Sequence, residues 1–158
     1  MGVRAINHVS IRAIDLEISV RFYESLFGAV RIPTPFFGGP LCWLQIGDGQ
    51  LHIFQRGEGW DPDAHFALEV DDFAAIYFKA KAMGAFDRVG NWDHHLFQIP
   101  SGELQLYLRD PAKNLIEIVW RDPSTLPDEI LNDVQRRADR HRQSEEGMKA
   151  SLFLGRGG

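Results

Sequence analysis

Ile6-Asn7-His8-Val9-Ser10-Ile11-Arg12 alternates like a strand, Asp15 follows as a helix N-cap, and residues 16–27 carry a helical apolar pattern that Gly28 stops. The layout returns at Ala64-His65-Phe66-Ala67-Leu68-Glu69-Val70, with Asp72 as the cap, residues 73–83 as the helix and Gly84 as the stop. The step from His8 to His65 is 57 residues, and so is the step from Asp15 to Asp72. A repeat of this length points to a duplicated supersecondary unit.

Three strand candidates follow each helix. In the first half they are residues 29–32, 42–46 and 51–55, the last two joined by Gly47-Asp48-Gly49. In the second half they are residues 86–89, 104–109 and 115–120, the last two joined by Asp110-Pro111-Ala112-Lys113-Asn114. The reading is an α+β fold of two tandem βαβββ modules, residues 5–56 and 64–121, joined by a linker over 56–63. The two make one domain over residues 1–122. A C-terminal extension over 123–158 is expected to hold a helix near 128–142 with an apolar stripe of Ile130, Leu131, Val134 and Ala138, then an apolar segment over 148–154.

Composition narrows the class. The 158 residues carry a net charge of −5 with the basic residues scattered, which leaves no stripe for nucleic-acid phosphates. No run approaches the ~20 apolar residues of a membrane span, and the N-terminus lacks a signal-peptide layout. With one cysteine, Cys42, no intrachain disulfide forms. The expectation is a cytoplasmic protein with no nucleic-acid or membrane partner.

Four polar residues interrupt otherwise apolar strands: His8 among Ile6, Val9 and Ile11, His52 between Leu51 and Ile53, His65 beside Phe66, and Glu117 between Ile116 and Ile118. A polar group in an apolar row costs stability unless it is paired or bound to a metal. Singly each reads as a satisfied buried polar residue. At equivalent points of two repeats they read as ligands around one centre, and imidazoles with a carboxylate suit Fe, Mn, Zn or Ni.

The chain resembles the vicinal oxygen chelate superfamily, which includes glyoxalase I, fosfomycin-resistance proteins, bleomycin-resistance proteins and extradiol dioxygenases. The resemblance is carried by Asn7-His8-Val9-Ser10-Ile11, Asp15-Leu16-Glu17, Phe22-Tyr23, Leu26-Phe27-Gly28, His65 to Val70, and Arg109-Asp110-Pro111 through Glu117. It implies a half-open mixed β-barrel around one divalent metal ion held by His8, His65 and Glu117, with His52 as a possible fourth ligand. It also implies a homodimer and a small-molecule substrate bound through vicinal oxygens. Leu106-Tyr107-Leu108-Arg109-Asp110-Pro111 is similar to the extradiol signature, with Lys113 where that signature has glycine or proline. Arg12 matches an arginine that glyoxalases use on a glutathione carboxylate. The implied function is a metal-dependent glyoxalase- or dioxygenase-type enzyme, the alternative being a metal-free protein that sequesters an aromatic ligand.

Further pocket candidates are Phe36, Phe37, Trp43, Phe54, Trp92, Phe97 and Gln105. Tyr107 is a candidate to orient or protonate an oxyanion, and His94 or His95 a candidate acid or base. Adjacent histidines on a strand face opposite ways, so only one of that pair is expected inward.

Overall fold

Both helices form for the same local reasons. In α1 (Leu16–Phe27) the Asp15 carboxylate accepts the Ile18 N–H at 2.9 Å, and Gly28 closes the helix at φ 65°. In α2 (Phe73–Met83) Asp72 accepts the Ala75 N–H at 2.9 Å, and Gly84 closes at φ 66°. Both glycines take the left-handed conformation that other residues adopt at a cost. The computed structural model describes residues 7–36, 39–58, 64–88, 94–145 and 147–153. The chain divides into two compact units, residues 1–66 with 109–115 and residues 67–108 with 116–158.

In the first unit the sheet order is β1-β4-β3-β2, from β1 (His8–Ala13), β2 (Val30–Ile32), β3 (Leu41–Ile46) and β4 (Gly49–Gln55). β1 runs parallel to β4, while β3 is antiparallel to both β4 and β2. One face supplies Ile11, Ala13, Cys42, Leu44, Leu51 and Ile53, all buried, and α1 buries Val20, Phe22, Tyr23 and Leu26. Full burial of a leucine or isoleucine of this kind contributes about 1.5–3 kcal/mol.

The turn over residues 109–115 belongs to this unit through Asp110. Its buried carboxylate accepts the Tyr23 hydroxyl at 2.9 Å and the Asn114 amide side chain at 2.7 Å, together with the backbone N–H groups of Ala112 at 2.9 Å and Asn114 at 2.8 Å. Burial raises its pKa above the ordinary carboxylate value, and these hydrogen bonds pull it back down. Asn114 also donates to the Arg12 carbonyl at 2.7 Å, tying the turn to the end of β1.

The second sheet has the order β5-β8-β7-β6-β9, with β5 (His65–Glu69), β6 (Leu96–Gln98), β7 (Leu104–Arg109), β8 (Leu115–Trp120) and β9 (Gln135–Arg136). Leu104, Leu106, Leu108, Ile116 and Ile118 are buried in one row set, and the Trp120 ring in that set lies 6.0 Å from Phe73 of α2.

Three expectations change here. The strand expected over 86–89 shows a single bridge, Phe86 to Leu108, and its end lies outside the described residues. The second strand of this module is β6, where Leu96 and Phe97 are buried and pair with β7. The long helix expected over 128–142 is instead α3 (Asp128–Leu131), strand β9 and α4 (Arg137–Arg140). Pairing explains it: Gln135 and Arg136 run parallel to Phe97 and Gln98, so the backbone completes a sheet edge and Ile130 alone of the expected stripe is fully buried. The apolar segment expected over 148–154 begins in a 3-10 turn at Gly147–Lys149 and leaves Met148 49% and Leu152 36% exposed, Leu154 lying outside the described residues. Among the described residues, no helix is long and apolar enough to cross a membrane.

Candidate metal centre

Strand alternation assigns the candidate ligands to faces other than those read from their sequence neighbours. His8 shares its face with Ser10 and Arg12, all exposed, while Val9, Ile11 and Ala13 point the other way. It therefore begins a polar row and does not interrupt an apolar one. His65, with Ala67 and Glu69, is likewise on the exposed rows of β5. Glu117 does interrupt an apolar row, between Leu115 and Val119, and all three are buried.

On the open face of the first sheet three rings are stacked across three strands. His52 lies 4.0 Å from Trp43 at an interplanar angle of 4°, and 4.3 Å from His8 at 16°. Register causes this, because Trp43 is opposite His52 on β3 and β4, and Ser10, two residues after His8, is opposite His52 on β1. The His8 Nδ1 is paired with Asn7 Oδ1 at 3.0 Å, and its Nε2 meets no hydrogen-bond partner among the described residues. The His52 Nε2 meets Gln50 Oε1 at 2.9 Å. Burial, then the neighbouring His8, lowers the His52 pKa and favours its neutral form.

Imidazole lone pairs lie in the ring plane. Two rings stacked this closely hold them in separate, nearly parallel planes, so they do not meet at one ion about 2.1 Å from each nitrogen. In this arrangement His52 supports the His8 ring and does not share an ion with it.

A cleft of about 300 Å³ opens beside the stack, lined by Ser10, Ile11, Arg12, Phe54 and Arg56. Arg56 stands over the Phe54 ring at 5.2 Å. Phe36 is 84% exposed, and Phe37 and Trp92 lie outside the described residues.

In the second unit, Glu117 shares a face with Gln105, Tyr107 and Phe97. Gln105 Nε2 donates to Glu117 Oε1 at 3.1 Å. The Tyr107 pKa is raised, first by burial and next by the charge of Glu117 and a hydrogen bond to it, while Arg137 opposes the rise. Tyr107 is thus a protonated hydroxyl at neutral pH, suited to donating a hydrogen bond. Arg137 of the extension was not foreseen. Its Nε is 3.3 Å from Gln105 Oε1, one guanidinium nitrogen is 3.4 Å from the Tyr107 hydroxyl, and its Cζ lies 4.1 Å from the Phe97 ring centre. Phe97 itself is fully buried beneath that guanidinium.

His94 and His95 both turn toward one residue, against the expectation that only one would face inward. They precede β6 in coil and bend, so strand alternation does not govern them. His95 Nε2 meets Asp133 Oδ2 at 2.8 Å and His94 Nε2 meets the Asp133 carbonyl at 2.5 Å. Tyr77 donates to the same Asp133 Oδ2 at 2.6 Å, and the His95 ring stacks on Phe86 at 4.0 Å. Among the described residues, one group of three His, Cys, Asp or Glu places its ligand atoms within 4.8 Å of one another, and it is His94, His95 and Asp133. Asp133 and Tyr77 carry no motif that sequence reasoning could have used.

A sequence model of the family described as Glyoxalase/Bleomycin resistance protein/Dioxygenase superfamily matches residues 5–118. YwbC of Bacillus subtilis (strain 168) is 28% identical over 128 residues, which are 75% of this chain and 98% of that protein. Among solved structures, the oxidase ChaP-H2 is similar at a TM-score of 0.60 and 26% identity, over 77% of this chain and 96% of that one. The lactoylglutathione lyase of Agrobacterium tumefaciens shares the fold at a TM-score of 0.57 and 24% identity, over 75% of this chain and 95% of its own.

Proposed function

Because the chain belongs to the glyoxalase/bleomycin resistance protein/dioxygenase superfamily, we propose that it is a metal-dependent enzyme acting on a small molecule through two adjacent oxygens. The ligands we assign are those that the family resemblance implies, His8, His65 and Glu117. The donor set suits the ion: two imidazoles and a carboxylate form the combination used by oxygen-activating iron sites, and Zn or Mn accept it as well. A divalent ion bound there supplies Lewis-acid polarisation of the paired oxygens.

The observation that carries the reading is the His8 ring, braced at Nδ1 by Asn7 and from one side by His52, which leaves Nε2 as its ligand nitrogen. The same stack favours a ligand set of three over one of four. That supports dioxygenase- or oxidase-type chemistry more than the glyoxalase type, in line with the similarity to the oxidase ChaP-H2. The other residues have plain tasks. Gln105 orients the Glu117 carboxylate, and the protonated Tyr107 hydroxyl donates to the same carboxylate and holds it in place. We place the enzyme in the cytoplasm as a homodimer.

The test is metal analysis of the anaerobically purified chain and of its alanine variants by inductively coupled plasma mass spectrometry. About one equivalent of divalent metal per chain is expected, lost in His8→Ala, His65→Ala and Glu117→Ala but retained in His52→Ala. Loss in His52→Ala would restore the four-ligand, glyoxalase-type reading. Absence of metal affinity in both purified and reconstituted protein would overturn the enzyme reading in favour of sequestration of an aromatic ligand.

A further inference from the structure

Resting on that reading, we propose that Arg137 is the anion-binding residue of the substrate site, and that the substrate carries a carboxylate beside its two oxygens. The guanidinium belongs to the C-terminal extension, beyond the residues 5–118 that match the family. It is an addition of this chain to the shared scaffold.

The extension holds Arg137 in a fixed place. β9 pairs with β6 just before it, joining Gln135 to Phe97 and Arg136 to Gln98. Asp133, four residues before Arg137, is fastened by His95 at 2.8 Å and Tyr77 at 2.6 Å, with His94 on its carbonyl at 2.5 Å. The guanidinium carbon then stands over the Phe97 ring at 4.1 Å, with Gln105 and Tyr107 3.3 and 3.4 Å from its nitrogens. A surface arginine serving only solubility needs none of this.

Its chemistry follows from its neighbours. The Gln105 amide joins Glu117 on one side, at 3.1 Å, to Arg137 on the other. The proposed metal ligand and the guanidinium are therefore one amide group apart on a single face. A substrate whose paired oxygens reach the ion at Glu117 finds a planar, permanently charged donor group beside it. Guanidinium geometry matches a carboxylate through two parallel hydrogen bonds, which a lysine in that place could not reproduce.

A merely structural arginine would hold the extension and leave ligand choice untouched, so the test reads preference. Isothermal titration calorimetry on the metal-reconstituted full chain compares protocatechuate with catechol, the same oxygen pair with and without a carboxylate. The wild type should prefer protocatechuate by about ten- to a hundredfold, the worth of a charge-assisted hydrogen bond. Arg137→Met should bind the two nearly equally. Arg140→Met removes a charge 5.5 Å from the same Phe97 ring and should keep the wild-type preference. A wild type without preference, or an Arg137→Met chain that retains it, overturns the proposal.

A measurement on the unaltered chain covers the case in which Arg137→Met releases the extension. Phenylglyoxal labelling of Arg137, followed by peptide mass spectrometry, should be slowed by protocatechuate and not by catechol, and equal protection overturns the proposal. If catechol fails to bind the reconstituted chain, the metal analysis alone judges the metal reading. Labelling of the metal-free chain with benzoate against benzamide then still decides the role of Arg137, selective protection by benzoate supporting it and equal protection refuting it.

Discussion

His52 and Glu117 hold matching places, each on the last strand of its module and three residues beyond the hairpin turn, yet their surroundings differ. His52 is stacked between two rings on a face open enough to leave His8 exposed. Glu117 is 3% exposed, hydrogen-bonded by Gln105, on a face that the extension supplies with Arg137. A duplicated scaffold thus sets equivalent backbone positions, while cross-strand neighbours decide what each side chain can do. In the first sheet those neighbours are aromatic and hold a ring by its faces. In the second they are polar and hold a carboxylate by its oxygens.

The two hairpin turns differ as well, and the largest expected effect breaks the stronger one. Asp110→Ala removes the buried acceptor of four hydrogen bonds, from Tyr23, Ala112 and twice from Asn114. Such a loss strands buried donors and is expected to destabilise the chain by about 3 kcal/mol, read from the urea midpoint at unchanged slope. A loss below about 1 kcal/mol would mean that the turn is held by its backbone alone.

The extension is what most separates the second sheet from the first. Asp133→Ala deletes the carboxylate that receives His95 and Tyr77, with an expected cost of about 2 kcal/mol. Hydrogen exchange should rise over residues 128–140 and remain unchanged in β1 and β4. Spread of the faster exchange into the first sheet would show that the two units unfold as one.

Much of this architecture was legible and some was not, for reasons that lie in particular residues. Caps and stops are local chemistry, so Asp15, Gly28, Asp72 and Gly84 marked both helices at their observed ends. Alternation was legible too, but it was applied to adjacent residues when the informative neighbours are two apart. That is why His8 was read into a row with Ile11 and not with Ser10 and Arg12. The extension failed for a different reason: Gln135 and Arg136 have no strand-like pattern, and only pairing with β6 makes them one. Arg137 was hidden behind that error, because its partners Phe97, Gln105 and Tyr107 are distant in sequence.

Acidity should act on the second sheet through His95. Burial holds its pKa below the ordinary imidazole value, helped by His94 and Arg88 and opposed by the charge and hydrogen bond of Asp133. A folded pKa below the unfolded value of about 6.5 means that the unfolded chain binds more protons in that interval. The His95 contribution is therefore fully present above about pH 6.5 and is lost as pH falls through the folded value. Melting temperature followed from pH 7.5 to 5 should fall less steeply in His95→Gln than in the wild type. Parallel slopes would assign the acid sensitivity to other groups.

The smallest effects return to the turns and set their signs apart. In the second turn Lys113 is the one non-glycine residue at positive φ among the described residues, at 67°. A side chain in the left-handed region costs about 1–2 kcal/mol, partly offset on mutation by the greater freedom of glycine in the unfolded chain. Lys113→Gly also loses an exposed ion pair with Glu58, which contributes little in water. The Arg109 side chain keeps its bond to the residue 113 carbonyl, since that acceptor is backbone. The net expectation is a gain of about 0.5 kcal/mol, seen as a small rise in melting temperature. In the first turn the φ of 54° falls on Gly47, where no strain is stored, and Asp48 is exposed with no side-chain hydrogen bond among the described residues. Asp48→Ala should therefore change stability by less than about 0.5 kcal/mol. Equal responses at Lys113 and Asp48 would show that the second turn pays nothing for its unusual backbone, and that Asp110 alone distinguishes the two hairpins.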